Sequence, residues 1–133
     1  MTEDGHGAGP AGAPDADERR RRGREKMREV YNFDVDPDVV EGDFVRLTVD
    51  HLFGEVWSRP GLALSERRLL TIGTLAALGL GELLEVQFDS ALHNGELTVE
   101  QVREVVVHLT HYIGWPLATT LNGAAEKVIA RRR

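Results

Sequence analysis

The chain has 133 residues, 41% of them hydrophobic, which suits one core and leaves too little length for a second full domain. Its formal charge is -6, and the six acidic and six basic residues of the first 26 positions cancel, so the acidic excess lies on the remainder and argues against a nucleic-acid surface there. The absence of cysteine excludes disulfides, a thiolate nucleophile and an iron–sulfur cluster.

Residues 1–26 combine Gly, Ala, Pro and Asp with the run Arg19 to Arg22, and have almost no large apolar side chain before Met27. Such a segment buries too little to offset its ordering entropy, so it is expected to be a disordered arm preceding a helical domain over 27–133. The arginines could meet phosphates, but their acidic neighbours favour a solvated arm without a partner. Gly23-Arg24-Glu25 follows them where a secretory signal would turn apolar, and no apolar run reaches membrane-spanning length. A cytoplasmic protein without a membrane partner is expected.

Asp36-Pro37 has the form of a helix start and predicts a helix from Pro37 to about Phe53. Pro60-Gly61 marks a loop after it, carrying Trp57 and Arg59. Ser65 is placed to cap a second helix to about Leu78, apolar on nearly every side and therefore expected to be central. Gly79-Leu80-Gly81 breaks it, and Glu82 opens a third helix that ends at Asn94-Gly95. Thr98 and Gln101 have capping-box spacing, with Leu97 and Val102 as its hydrophobic staple, so a fourth helix begins at Val99. Gly114 and Pro116 end it, and Leu117 to about Ala130 forms the last. No segment alternates like a strand; the class is all-α, and the third and fourth helices are expected to form a central hairpin.

Several ordered motifs run through this pattern: Trp57, Arg59, Pro60 and Gly61; Arg67; Glu82; Asn94-Gly95 and Leu97-Thr98 with Glu96 inserted; and Tyr112, Gly114, Trp115 and Pro116 after His108. In them the chain resembles the carboxymuconolactone decarboxylase family, over roughly Phe44 to Ala130. The resemblance implies the helical bundle of the alkylhydroperoxidase D proteins, with five to six helices. It also implies a homo-oligomer, trimer or hexamer, and a cofactor-free enzyme acting on a small anionic cyclic substrate in aromatic catabolism, with no metal. The peroxidase branch of that fold needs a Cys-x-x-Cys pair, so thiol peroxidase activity is excluded. Where the family places an active-site histidine, five residues after its glutamate, this chain has Gln87. Glutamine cannot shuttle a proton near neutral pH.

Decarboxylating a carboxylactone calls for a cation on the substrate, an electron sink at the lactone carbonyl and an acid for the resulting enolate carbon. Arg59 beside Trp57 would clamp a carboxylate, or else form a loop salt bridge over a core tryptophan. Arg67 heads an apolar helix and should be paired, with Glu82 the nearest candidate, or should look into a cavity. Glu82 would be an acid or base, or only a first-turn residue favoured by the helix dipole. His108 would replace the missing histidine, or be a satisfied core residue. Glu104, His108 and His111 share one side of a helix, a weak metal signal. The catalytic candidates are thus Glu82, His108 and Arg67, and the substrate-binding candidates Trp57, Arg59, Gln87, His111, Tyr112 and Trp115. A different proton-transfer, isomerase or tailoring reaction and a non-catalytic oligomeric binding protein stay open beside decarboxylation.

Overall fold

The computed structural model describes residues 15–133. Among them lie six helices and no strand: α1 (Ala16–Tyr31), α2 (Asp43–Leu47), which continues as a π-helix over Thr48–Val56, α3 (Leu64–Leu78), α4 (Gly81–His93), α5 (Val99–Ile113) and α6 (Trp115–Arg131). The class is all-α, as the periodicity predicts. None of these helices is long and apolar enough to cross a membrane.

The chain divides into two compact units. The first holds the described residues up to Met27 together with Asp34–Ser58. Here the expected disordered arm is corrected from residue 16 onward, because the arginine run lies within α1; the part of that expectation on residues 1–14 lies outside the described residues. Arg20 binds Asp50 through Nε (2.6 Å) and Nη2 (3.0 Å), and reaches Asp38 at 2.8 Å. Arg24 meets Asp34 at 2.6 Å, and Arg22 Nε donates to the Gly54 carbonyl at 2.9 Å. Charge pairing therefore supplies what apolar composition lacks. Gly23 lets α1 lie against the π-helix, since a β-carbon there would fall on the Val49 carbonyl, and one at Gly54 would stand 2.8 Å from the Arg19 carbonyl.

The helix expected from Pro37 starts later. Asp36 Oδ1 accepts from the Asp38 amide at 2.9 Å and closes a turn rather than capping a helix. Gly42, at φ 92°, then redirects the chain into Asp43. The last turn of this segment keeps π geometry, with the Trp57 amide donating to the Leu52 carbonyl at 2.8 Å.

The second unit holds Arg28–Phe33 and Arg59–Arg133. Its core is built on Ile72, Leu84, Phe88, Val102, Leu121 and Val128, all without exposed surface. The helix at its centre is α6, packed against both α4 and α5, whereas α4 and α5 meet little, which corrects the expected hairpin. The reason is the small-residue face of the buried Ala118, Ala124 and Ala125, which lets α6 approach two neighbours. α3 is correspondingly less central than its composition predicts: Leu70 is 62% and Leu78 64% exposed. Its start is set by Glu66, which accepts from the Ala63 amide at 2.7 Å, and not by Ser65. The capping box at α5 forms as expected, with Thr98 Oγ1 accepting from the Gln101 amide (3.1 Å) and Gln101 Oε1 from the Thr98 amide (2.9 Å).

Candidate active site

The α3 face that turns inward carries Arg68, Ile72 and Ala76. Arg68 thus enters the core with no exposed surface, and its charge is answered there. Its Nε and Nη2 bind the two oxygens of Glu96 at 2.9 and 3.0 Å, and Nη1 donates to Gln87 Oε1 at 2.8 Å. Glu96 also accepts from Asn94 Nδ2 at 2.9 Å, and Asn94 donates to the Glu29 carbonyl at 2.7 Å. The residue standing in place of the family histidine is therefore held in a buried polar network. Tyr31 and Gln87 line a common cavity. Burial pushes the Tyr31 phenol above its ordinary pKa, while the nearby Arg68 charge and the Gln87 amide pull it down by less.

A cavity of about 180 Å³ opens beside this network, between Tyr31 and Phe33, Thr71 and Leu75 of α3, and Leu83 and Gln87 of α4. That is the space of about six water molecules, suited to a small acid. A second depression of about 220 Å³ shares Tyr31 and Phe33 with the first and contains Glu82, Glu85 and Arg131. The rings of Tyr31 and Phe33, stacked with centroids 5.5 Å apart, stand on the border.

The sequence candidates distribute as follows. Arg67 lies one turn before Thr71 on α3, on the stripe that lines the cavity. Its Nη2 donates to the Arg59 carbonyl at 3.0 Å, and its Nε is buried without a partner among the described residues. The expected pairing of Arg67 with Glu82 is not made; Glu82 is exposed at the start of α4, on the adjoining depression. Arg59 is exposed and forms no ion pair among the described residues, so the salt-bridge reading of the loop does not hold. Trp57 belongs to the first unit, half-buried, its ring 6.0 Å from that of Phe53.

His108 is not a core histidine. It is exposed on α5, its ring tilted against that of Tyr112 with centroids 5.1 Å apart, and lines an apolar groove of about 540 Å³ with Leu69, Leu70, Leu97, Val105 and Glu104. His111 is exposed, with Nδ1 2.8 Å from the Val107 carbonyl and its ring edge-on to Trp115 at 6.3 Å. Tyr112 and Trp115 are 78% and 70% exposed. Glu104, His108 and His111 do not converge; among the described residues no three such side chains are grouped as for a metal ion.

Sequence reasoning missed Arg68, Glu96 and Tyr31. Two signals were present: Glu96 interrupts the Asn-Gly-Leu-Thr pattern, and of the adjacent arginines only Arg68 falls four residues before Ile72.

These features sit in a chain that belongs to the carboxymuconolactone decarboxylase family, whose model matches residues 42–127. Among curated relatives, the 4-carboxymuconolactone decarboxylase of Acinetobacter baylyi is 36% identical over 86 residues, 65% of this chain and 63% of the relative. The nitrosuccinic acid decarboxylase npaB of Metarhizium robertsii is 36% identical over 83 residues, 62% of this chain and 57% of the relative. The chain thus spans about three-fifths of the length of each, and α1 with Tyr31 precedes the family match.

Proposed function

We propose that the protein is a carboxy-lyase acting on a small organic dicarboxylate. The observation that carries this reading is Arg67, whose buried Nε has an unanswered N–H on the stripe leading into the Gln87 cavity. A buried unpaired donor costs on the order of 1–3 kcal/mol, a cost that an anionic ligand would offset. The names of the relatives supply the class. The acid in each name carries one carboxylate on a carbon activated by an electron sink, a lactone in one and a nitro group in the other, and a second carboxylate to hold. Arg67 is assigned to the retained carboxylate, with Arg59 at the rim and Glu82 in the adjoining depression as a proton-handling candidate. No cofactor enters this scheme, because the substrate contains its own electron sink.

The test is carbon dioxide release from 4-carboxymuconolactone and from nitrosuccinate. Release is expected from at least one, and Arg67→Ala should raise KM far more than it lowers kcat. A folded protein that releases none from either acid overturns the proposal. Ligand binding without turnover is the second reading, favoured by Gln87 itself, whose amide is no proton shuttle.

We further assign the groove between α3 and α5 to a second copy of the chain. Leu69 and Leu70 on one wall and Leu97 and Val105 on the other leave apolar surface that a monomer would expose to water. His108 and the exposed Tyr112 and Trp115 lie on that helix or at its end, so their roles belong to the assembled protein. Light scattering should give a trimer or hexamer that Leu70→Glu dissociates; a monodisperse native monomer at micromolar concentration excludes it.

A further inference from the structure

We propose that Gln87 makes this site selective for carboxylic acids whose departing electron pair ends on a nitro group, its amide N–H groups holding the nitro oxygens as charge builds there. The inference rests on the decarboxylase reading and narrows its substrate class. Arg68 has donors only, so the Gln87 end at 2.8 Å from its Nη1 is the carbonyl oxygen. The nitrogen, with its two N–H groups, is left as the end that serves the cavity Gln87 lines. Glu96 holds Arg68 through both carboxylate oxygens and accepts from Asn94, so the amide cannot flip without losing a charge-assisted hydrogen bond. The positive charge on the carbonyl side polarises the amide and strengthens its N–H groups as donors.

The same cavity is poor in acids. Of the described residues on its wall Tyr31 alone is titratable, and burial weakens its phenol as an acid. No carboxyl or imidazole stands among them, and Glu82 belongs to the adjoining depression. A lactone enolate is too basic to persist in water, so its carbon must receive a proton as the carboxylate leaves. A nitronate is a stable anion near neutral pH and has no such requirement. The step then balances without a protein-borne proton: the bond to the carboxylate breaks, carbon dioxide leaves, the electron pair forms a carbon–nitrogen double bond, and the negative charge passes to the nitro oxygens. Water protonates the carbon after release. What the protein must supply is stabilisation of the developing oxyanion, which a fixed neutral amide provides at any pH near neutral.

Nitrosuccinate and 4-carboxymuconolactone are the probes. Enzyme-dependent carbon dioxide release by the native protein should be about 100-fold or more faster from the nitro acid, the gap that general acid catalysis would otherwise close. The nitro product should appear first as the nitronate, seen as an ultraviolet absorbance that decays as water protonates it. Gln87→Met keeps the length of the side chain and removes both N–H groups, so kcat on nitrosuccinate should fall about 100-fold with KM within a few-fold. Should that variant fail to fold, the rate ratio and the nitronate transient of the native protein decide. A smaller gap, a reversed preference, or a nitro product that leaves already protonated overturns the inference and leaves the decarboxylase reading standing. A folded Gln87→Met with native kcat overturns the role of Gln87. Enzyme-dependent release from neither acid removes the decarboxylase reading and this inference with it.

Discussion

Arg68 and Glu96 illustrate what a buried charge requires. Arg68 has no exposed side-chain surface and Glu96 only 9%, so neither ion is stabilised by water to any extent and each depends on the other. Removing one partner leaves the other charge desolvated. Glu96→Ala is therefore expected to destabilise the fold by about 3–5 kcal/mol, measured by urea unfolding, and more than the double change of Arg68 and Glu96 to apolar residues of similar volume. The adjacent Arg67 gives the contrast: its Nε is buried with no partner among the described residues, a cost that no contact there offsets.

At the scale of elements, two features separate stability from chemistry. The Thr98–Gln101 capping box satisfies amides at the α5 start and lies away from the Gln87 cavity, so Thr98→Ala should cost about 1 kcal/mol in unfolding free energy and leave kcat unchanged. Glu85 ties α4 to α6 through Arg131 (3.1 Å) and Lys127 (3.3 Å). The Arg131 hydrogen bond, more than any other contact, holds the Glu85 carboxyl below the usual carboxylate range. The folded state therefore takes up this proton at lower pH than the unfolded chain does, and the stability it contributes is present at neutral pH and lost as the pH falls through that window. Glu85→Gln should consequently show a shallower loss of stability than the native protein between neutral pH and about pH 3, followed by denaturant unfolding at each pH.

For the whole molecule, α1 alters what a truncation should do. It supplies Arg20, Arg22 and Arg24 to the first unit and, in its last turn, Val30 and Tyr31 to the second. Deletion through residue 26 is expected to lower the melting temperature by several degrees, because Asp50, Asp34 and the Gly54 carbonyl lose their partners; an unchanged transition in calorimetry would show that these ion pairs contribute nothing.

Read alone, the sequence determined the all-α class, the ends of α4 and α5, the glycine breaks and the family, because helical period, capping spacing and glycine conformation are local properties that no tertiary contact has to supply. Gln87 was legible as a departure on the same basis. The tertiary structure decided the rest. α1 depends on carboxylates ten or more residues away and on glycines that matter only where two backbones cross, so its composition looked disordered. Which of two adjacent arginines is buried, that Glu96 closes on Arg68 across 28 positions, and that Tyr31 and Gln87 line one cavity are long-range outcomes. Low-dielectric surroundings give such pairings their strength, and those surroundings exist only once the helices have packed.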